Sequence, residues 1–263
     1  MTPLVEITVV RPGAGTATDA VINEVPVALQ YNGISHAVML CTPQDLEDFA
    51  LGFSLSEGLL NQPAQLFDIE IEPSPLGITI EMEIATEAFV ELKDRRRSMT
   101  GRTGCGICGV DNLSQVERHL PPIERSDQFP LTALYEGVSA LPALQLLQQR
   151  TGAVHAACHV DKNGQLSHIR EDVGRHNALD KTLGSLARSN HDRSGALIVT
   201  SRASLEMVQK AATLGYSVLA AVSAPTAAAI TLANRLNISL IGFLRNRQCV
   251  IYTHEQGIAG VTS

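Results

Sequence analysis

The second half of the chain alternates short apolar runs with longer segments in which apolar residues recur at helical spacing. This pattern predicts strands at 153–160, 166–170, 196–200, 217–222, 239–244 and 249–253, and helices at 175–187, 203–214 and 223–236. Apolar strands that alternate with helices form parallel sheets whose two faces are covered. The pattern therefore predicts an α/β fold with a mixed, largely parallel sheet and helices on both faces.

The first 95 residues show a different order of elements. Alternating apolar residues predict strands at 4–10, 24–31, 36–41, 67–72 and 77–84, with a hairpin turn at Asn32 and Gly33. A helical pattern begins near Asp45 and ends by Asn61. We therefore predict a small α+β domain over residues 1–95, in which the acidic residues form a solvated outer face.

A Cys-x-x-Cys motif follows this domain. Cys105 and Cys108 stand among four glycines, and a basic run at 93–97 precedes them. Glycines remove side chains that would anchor the loop to a core, and nearby arginines favour the thiolate, which is the nucleophilic form of cysteine. The sequence therefore predicts a mobile loop at 96–112 that carries reactive thiols, followed by the α/β domain at 113–263.

Two further helices are predicted between the motif and the first strand of the α/β domain. They cover 113–119 and 132–149, and a proline-containing segment separates them. Pro142 lies within the second helical pattern, where its ring would clash with the preceding turn. We expect this proline to kink or divide the helix.

Other interpretations of the motif have less support. A structural zinc site needs two more ligands, whereas Cys41, Cys158 and Cys249 stand singly in predicted core strands. A thioredoxin-type dithiol normally opens a helix after a strand, and this motif lies in a glycine-rich loop. The zinc-dependent nucleobase deaminases carry His-x-Glu and Pro-Cys-x-x-Cys signatures, and both are missing here. Five cysteines are an odd number, which does not favour a disulfide framework.

Composition and charge exclude several classes of function. The 263 residues are 44% apolar and 18% charged, so the chain can bury a substantial core. No apolar run is long enough to span a membrane, and the N-terminal residues do not resemble an export signal. The net charge of −7 argues against general nucleic-acid binding. We therefore expect a cytoplasmic protein with no nucleic-acid partner, no membrane partner and no bound metal.

Two polar stretches at predicted helix starts are candidate binding or catalytic segments. Residues 170–180 contain His176, which could transfer protons. The same stretch could instead hold a helix cap at Asp172 and ion pairs among Glu171, Arg175 and Asp180. Residues 200–204 follow a strand and open a helix, where backbone N–H groups bind phosphate or serines simply cap the helix. The sequence leaves these alternatives open.

A basic segment joins the last two predicted strands. It consists of Phe243, Leu244, Arg245, Asn246, Arg247 and Gln248. At the carboxyl end of a strand, an aromatic ring followed by two arginines could stack on a base and hold phosphate. The alternative is an ordinary basic hairpin turn.

Four motifs of the chain resemble those of the formate dehydrogenase accessory sulfurtransferases (FdhD). They lie at 101–109, 170–178, 201–206 and 240–243, and the resemblance extends from about residue 24 to residue 253. Several long motifs in one order are far more specific than a Cys-x-x-Cys alone. The resemblance implies a homodimer and a main domain similar to the cytidine deaminases.

The resemblance also implies a function. A chain of this family accepts sulfur as a cysteine persulfide from a cysteine desulfurase and passes it to the molybdenum cofactor, bis-molybdopterin guanine dinucleotide, before the cofactor enters formate dehydrogenase. The persulfide carrier corresponds to Cys105, and the cofactor-binding stretch corresponds to residues 243–248. Cys108 either relays the sulfur or tunes Cys105. A non-catalytic cofactor chaperone and a dithiol reductase are the alternative functions.

Overall fold

The computed structural model describes residues 1–97, 120–125, 127–191 and 193–261. Cys105, Cys108 and the helix predicted at 113–119 lie outside the described residues. The helices are α1 (Leu46–Ser56), α2 (Thr86–Arg97), α3 (Leu131–Leu144), α4 (Leu146–Thr151), α5 (Arg175–Arg188), α6 (Leu205–Thr213) and α7 (Ala227–Arg235). The strands are β1 (Leu4–Arg11), β2 (Gly15–Ile22), β3 (Val25–Tyr31), β4 (Ile34–Cys41), β5 (Leu66–Ser74), β6 (Gly77–Ile84), β7 (Phe129–Pro130), β8 (His155–Val160), β9 (Leu166–Asp172), β10 (Ala196–Val199), β11 (Val218–Ala221), β12 (Ser239–Arg245), β13 (Gln248–Ile251) and β14 (Ile258–Ala259).

The main sheet has six strands in the order β13-β12-β11-β10-β8-β9. The three central strands β10, β11 and β12 are parallel, and the other pairings are antiparallel. The predicted mixed sheet is confirmed, but parallel pairing is limited to two of its five strand pairs. Short turns join β8 to β9 and β12 to β13. Strands joined in this way are antiparallel, because parallel neighbours need a longer crossover connection.

Helices cover both faces of this sheet, as predicted. On one face, α5, α6 and α7 contribute Leu183, Met207 and Leu232 to a core that also contains Leu197 and Leu219 of the strands. On the other face, α3 packs on the alternate strand residues, which point the opposite way along the pleat. Pro142 lies inside α3, and the helical pattern is divided three residues later at Gln145, before α4 begins.

The N-terminal residues form a four-stranded sheet in the order β4-β3-β6-β5. The hairpin turn predicted at Asn32 and Gly33 is confirmed, and both residues have a positive φ. Helix α1 and the residues Ala88 and Leu92 of α2 cover the inner face of the sheet. The sequence prediction missed α2, since little of it is apolar, and it missed β2, which pairs with β1 in a separate hairpin.

Helices α1 and α5 join the N-terminal sheet to the main sheet. They cross where Gly52 faces Gly184, and a Cβ atom at either position would overlap a backbone carbonyl of the other helix. Glycine is therefore required at both positions, because only the missing side chains let the two backbones approach this closely. No helix in the described ranges has the length and apolar character needed to cross a membrane.

Candidate functional site

The candidate polar stretches that the sequence analysis identified lie at one edge of the main sheet. Strands β9, β10, β11 and β12 end at this edge and β8 begins there, and we call it the carboxyl edge. The loops that follow the strands are joined by backbone hydrogen bonds: Thr226 N donates to the Ala203 carbonyl (3.0 Å), and Phe243 N donates to the Ser223 carbonyl (3.2 Å). The candidate stretches that begin at residues 170, 200 and 243 therefore meet at one surface. Helices α5, α6 and α7 also begin there, so the positive ends of their dipoles face this surface.

The basic loop, residues 243–248, has an unusual backbone. Phe243, Asn246 and Arg247 have φ angles of 54°, 52° and 54°. Asn246 and Arg247 form the turn between β12 and β13, and Phe243 lies at an irregularity of the strand pairing between Gly242 and Arg245. Positive φ is uncommon for residues with large side chains and is often found at binding sites. The conformation holds Phe243 at the surface, where 38% of the residue is exposed.

Two guanidinium groups of the basic loop lie over aromatic rings. Arg245 Cζ lies 5.9 Å from the centre of the Phe243 ring, and Arg247 Cζ lies 5.9 Å from the centre of the Tyr135 ring. These distances are within the range of a cation–π interaction, which orients the guanidinium plane. Leu244 points away from this surface and is buried in the core. The loop therefore presents oriented positive charge beside an exposed ring.

The structure adds two residues that the sequence did not connect with the loop. Tyr135 on α3 and Cys249 on β13 line the same surface cavity as the basic loop. The Tyr135 hydroxyl lies 3.6 Å from Cys249 Sγ. Burial and the Cys249 thiol raise the pKa of Tyr135 to about 12, although the Arg247 guanidinium acts in the opposite direction. No local motif marks Tyr135, because it lies more than a hundred residues before the loop that it contacts.

His176 has a carboxylate partner on the next helix. Its Nε2 lies 2.6 Å from Glu206 Oε2, and each side chain is 24% exposed. The angles of this contact lie outside those of a hydrogen bond, so Nε2 has no hydrogen-bond partner in the described chain. The contact joins the first turns of α5 and α6 at the carboxyl edge. The role of the 170–180 stretch as a site wall stays a prediction.

The alternative of ion pairs among Glu171, Arg175 and Asp180 does not match the partners that Glu171 and Asp180 have in the structure. Glu171 accepts hydrogen bonds from the backbone N–H groups of Leu147 and Gln148 at the start of α4 (2.8 and 2.9 Å). Asp180 pairs instead with Lys210 of α6 (3.0 Å). Asp172 is not the helix cap that this alternative places there, since Gly174 is the N-cap of α5. Groups outside the stretch bind these carboxylates instead, and the tertiary fold brings those groups close to them.

Two of the three cysteines in the described ranges have raised pKa values and are therefore poor nucleophiles. Burial raises the pKa of the Cys158 thiol to about 12. Burial and the Asp172 carboxylate raise the pKa of the Cys41 thiol well above its usual value. Cys249 is half-buried at the basic loop. The described ranges contain no group of three or more His, Cys, Asp or Glu side chains arranged to hold a metal ion. The roles predicted for Cys105 and Cys108 lie outside the described residues and stay predictions.

A comparison with models of protein families matches residues 22–259 to the FdhD/NarQ family. The chain belongs to this family. The resemblance predicted from the four sequence motifs is therefore confirmed.

Relatives within the FdhD/NarQ family cover nearly the whole chain. The Sulfur carrier protein FdhD of Bordetella petrii is 53% identical over 93% of this chain and 88% of its own length. The Sulfur carrier protein FdhD of Cupriavidus necator is 56% identical over 90% of this chain and 83% of its own length.

The fold is also similar to a crystal structure of a protein from Desulfotalea psychrophila, which is named as a formate dehydrogenase accessory protein. The TM-score is 0.76, and the match covers 97% of this chain and 98% of that chain at 24% identity. At this level of identity the likeness establishes the fold. The predicted similarity of the main domain to cytidine deaminases is not tested by it.

Proposed function

We propose that this chain is a sulfur carrier, a sulfurtransferase that takes sulfur as a persulfide on Cys105 and delivers it to the molybdenum cofactor before that cofactor enters formate dehydrogenase. The observation that carries the proposal is the naming of close relatives as Sulfur carrier protein FdhD, at 53% and 56% identity over most of the chain. The described thiols are consistent with it, because the two buried ones have raised pKa values. A carrier thiol needs access and a low pKa, and these two buried thiols have neither.

The first step of this function is a thiol–persulfide exchange. The Cys105 thiolate attacks the outer sulfur of a persulfide on a cysteine desulfurase. A new sulfur–sulfur bond forms on Cys105, the bond within the donor persulfide breaks, and the donor cysteine leaves as a thiolate. Charge and sulfur atoms balance without another reactant. Cys108 either receives the sulfur next or tunes Cys105.

The carboxyl edge would hold the cargo, bis-molybdopterin guanine dinucleotide. The exposed Phe243 ring offers a stacking surface for guanine, and the Arg245 and Arg247 guanidinium groups beside it can donate hydrogen bonds to phosphate. The Tyr135 ring lies against the Arg247 guanidinium group and orients it. In this proposal the molybdenum cofactor is the substrate of sulfur transfer, and the chain supplies the nucleotide-binding surface and the carrier thiol.

The proposed cycle requires two different protein partners. A cysteine desulfurase supplies the sulfur, and formate dehydrogenase receives the modified cofactor. We also propose that the chain acts as a homodimer, following the resemblance to the family.

Intact-mass spectrometry tests the sulfur-carrier function. The purified chain is incubated with a cysteine desulfurase and cysteine, with Cys105→Ala and Cys158→Ala in parallel. We expect a gain of about one sulfur atom that is reversed by a thiol reductant. The gain should be lost in Cys105→Ala and kept in Cys158→Ala, which removes a buried thiol instead. A gain in Cys105→Ala equal to that of the unmodified chain would contradict the proposal.

A second measurement separates the carrier from a non-catalytic chaperone. A chaperone would bind the molybdenum cofactor but acquire no sulfur in the assay above. Cys105→Ala should lose sulfur transfer and keep cofactor binding nearly unchanged. If the unmodified chain binds the cofactor tightly and never gains sulfur, the chaperone function is favoured.

A further inference from the structure

Strand β1 has one edge with no hydrogen-bonded neighbour among the described strands. It pairs with β2 along its whole length, from Leu4 opposite Ile22 to Arg11 opposite Gly15, in a sheet of two strands. Helix α4 contacts β2. A two-stranded ribbon is only marginally stable by itself in water, and the N–H and C=O groups of its edge can pair with a further strand. The hairpin is therefore suited to extension at β1.

The edge of β1 lacks the features that normally prevent pairing with another chain. Residues 4–11 contain no proline and no lysine, and Val5, Ile7 and Val10 are exposed by 41%, 41% and 77%. The edge strand β5, by contrast, carries three exposed carboxylates and a proline, at Asp68, Glu70, Glu72 and Pro73. Charges and prolines of this kind discourage association through an edge. The apolar edge of β1 instead favours pairing with another strand.

The sequence of β1 indicates that this other strand is β1 of a second copy. Residues 4–10 are apolar, apolar, polar, apolar, polar, apolar and apolar, a pattern that is symmetric about Ile7. In an antiparallel pair, directly opposite side chains lie on the same face with Cβ atoms about 5 Å apart. A two-fold axis at Ile7 would place every residue opposite one of the same character: Leu4 opposite Val10, Val5 opposite Val9, Glu6 opposite Thr8, and Ile7 opposite its own counterpart.

The neighbouring registers match less well. An axis at Glu6 would place two carboxylates directly opposite each other, and like charges in that position are destabilising. An axis at Thr8 would place Glu6 opposite Val10 and Val5 opposite Arg11, so each charged side chain would face an apolar one. The pattern of apolar and polar residues therefore specifies a single register.

We propose that β1 is the surface through which two copies of this chain associate, with the two strands antiparallel and Ile7 on the two-fold axis. The two hairpins then form one four-stranded sheet. Both copies use the same surface, so the assembly closes at two chains. This inference rests on the proposed function, which includes a homodimer. The contact is smaller than a standard interface of about 20–30 residues per side, so association should depend on concentration in the micromolar range.

Sedimentation velocity over a concentration series measures this association. Ile7→Lys places two ammonium groups opposite each other and should raise the dissociation constant at least about tenfold. Val38→Lys is the matched control, because Val38 is a 56% exposed apolar residue on another edge strand, β4. This variant should associate as strongly as the unmodified chain. Both positions are exposed, so thermal unfolding of the two variants should be alike and shows that the fold is kept.

A mixture of two variants tests the register. Ile7→Lys and Ile7→Glu should each associate weakly alone, since like charges meet on the axis. An equimolar mixture should form a heterodimer, because opposite charges then face each other. This recovery requires that residue 7 of one copy lies opposite residue 7 of the other. A mixture that associates no better than its components would overturn the proposed contact.

The outcomes distinguish this inference from the proposed function. If Ile7→Lys associates as strongly as the unmodified chain, the interface lies elsewhere and the inference is wrong, while the homodimer of the proposed function stands. If the unmodified chain stays monomeric throughout the concentration series, the inference and the homodimer both fail. Persulfide formation on Cys105 is measured independently of these experiments.

Discussion

Lys181 Nζ lies 2.6 Å from Asp172 Oδ2, and both side chains are completely buried. The ammonium group also donates to the Thr42 carbonyl (2.9 Å), and the carboxylate accepts hydrogen bonds from Thr42 N (3.0 Å) and Gly174 N (2.8 Å). This pair therefore connects the end of β4 to the start of α5. It fixes the backbone that carries Arg175 and His176 to the carboxyl edge.

Removing one member of this pair should be strongly destabilising. Lys181→Met leaves a buried carboxylate without its counter-charge, and we expect the free energy of unfolding to fall by about 3–5 kcal/mol. Urea denaturation measures the change. Lys162→Met is the matched control, because Lys162 pairs with Asp127 in solvent and should contribute less than about 1 kcal/mol. The double variant Asp172→Asn/Lys181→Met should lose less than the sum of its single variants; a purely additive loss would show that the two side chains are not coupled.

The crossing of α1 and α5 leads to a second prediction. Gly184→Ala places a Cβ atom against the Asp48 carbonyl, and neither backbone can move without shifting a helix. We expect a loss of at least about 2 kcal/mol, as for other overpacked sites, even though alanine favours helix formation by about 1 kcal/mol. Gly137→Ala on α3 is the control, since its Cβ would meet the ends of the Val160, Leu166 and Ile198 side chains, which can adjust. Equal thermal shifts for the two variants would contradict the close backbone contact.

The accessibility and pKa of the thiols predict a labelling pattern. At pH 8, Cys41 and Cys158 should react with iodoacetamide at least tenfold more slowly than Cys105 and Cys108, because burial raises the pKa of both thiols and blocks access. Peptide mass spectrometry over a time course measures each site. All five cysteines should react in the denatured chain, which serves as the control. Rapid labelling of Cys158 in the native state would show that the main sheet opens more readily than its packing indicates.

A cluster of histidines predicts how stability depends on pH. The His168 ring centre lies 5.3 Å from that of His191, which lies 4.4 Å from that of His159. Burial, then the charges of His191, Arg170 and His159, lower the pKa of His168, while Asp48 opposes them. Because the folded pKa is below the unfolded value of about 6.5, the unfolded state binds the proton first. Stability should therefore be retained above about pH 6.5 and fall as the pH is lowered through the folded pKa.

His168→Asn tests this origin of the pH dependence. His168 has a φ of 51°, a conformation that asparagine tolerates, so the backbone should be preserved. Chemical denaturation between pH 5 and pH 8 should show a smaller loss of stability on acidification than in the unmodified chain. His254→Asn is the control, because His254 also has a positive φ (49°) but lies outside the cluster. An unchanged pH profile in His168→Asn would assign the acid sensitivity to other groups.

The succession along the chain of the helices and strands that form the main sheet could be predicted from the sequence alone, and so could the Asn32–Gly33 hairpin and the family. Each of these depends on local sequence information. Apolar periodicity indicates which side of a helix or strand is buried, and turn residues indicate the backbone conformation. Helix α2 and strand β2 were missed for the same reason. Helix α2 has few apolar positions, and β2 forms a hairpin with little burial, so neither has a clear periodic signal.

Only the tertiary structure decided which side chains meet. Pairing within residues 170–180 was one of the alternatives left open by the sequence, and in the structure Asp172 binds Thr42, Glu171 binds the start of α4, and Asp180 binds Lys210. Tyr135 joins the basic loop, and Glu206 joins His176, through contacts between distant segments. Local propensity does not encode these contacts, because a charged side chain pairs with whatever group the packing of the sheets and helices brings near. The sequence by itself therefore determined the elements, the motifs and the family, whereas the tertiary packing determined the partners of each polar group at the carboxyl edge.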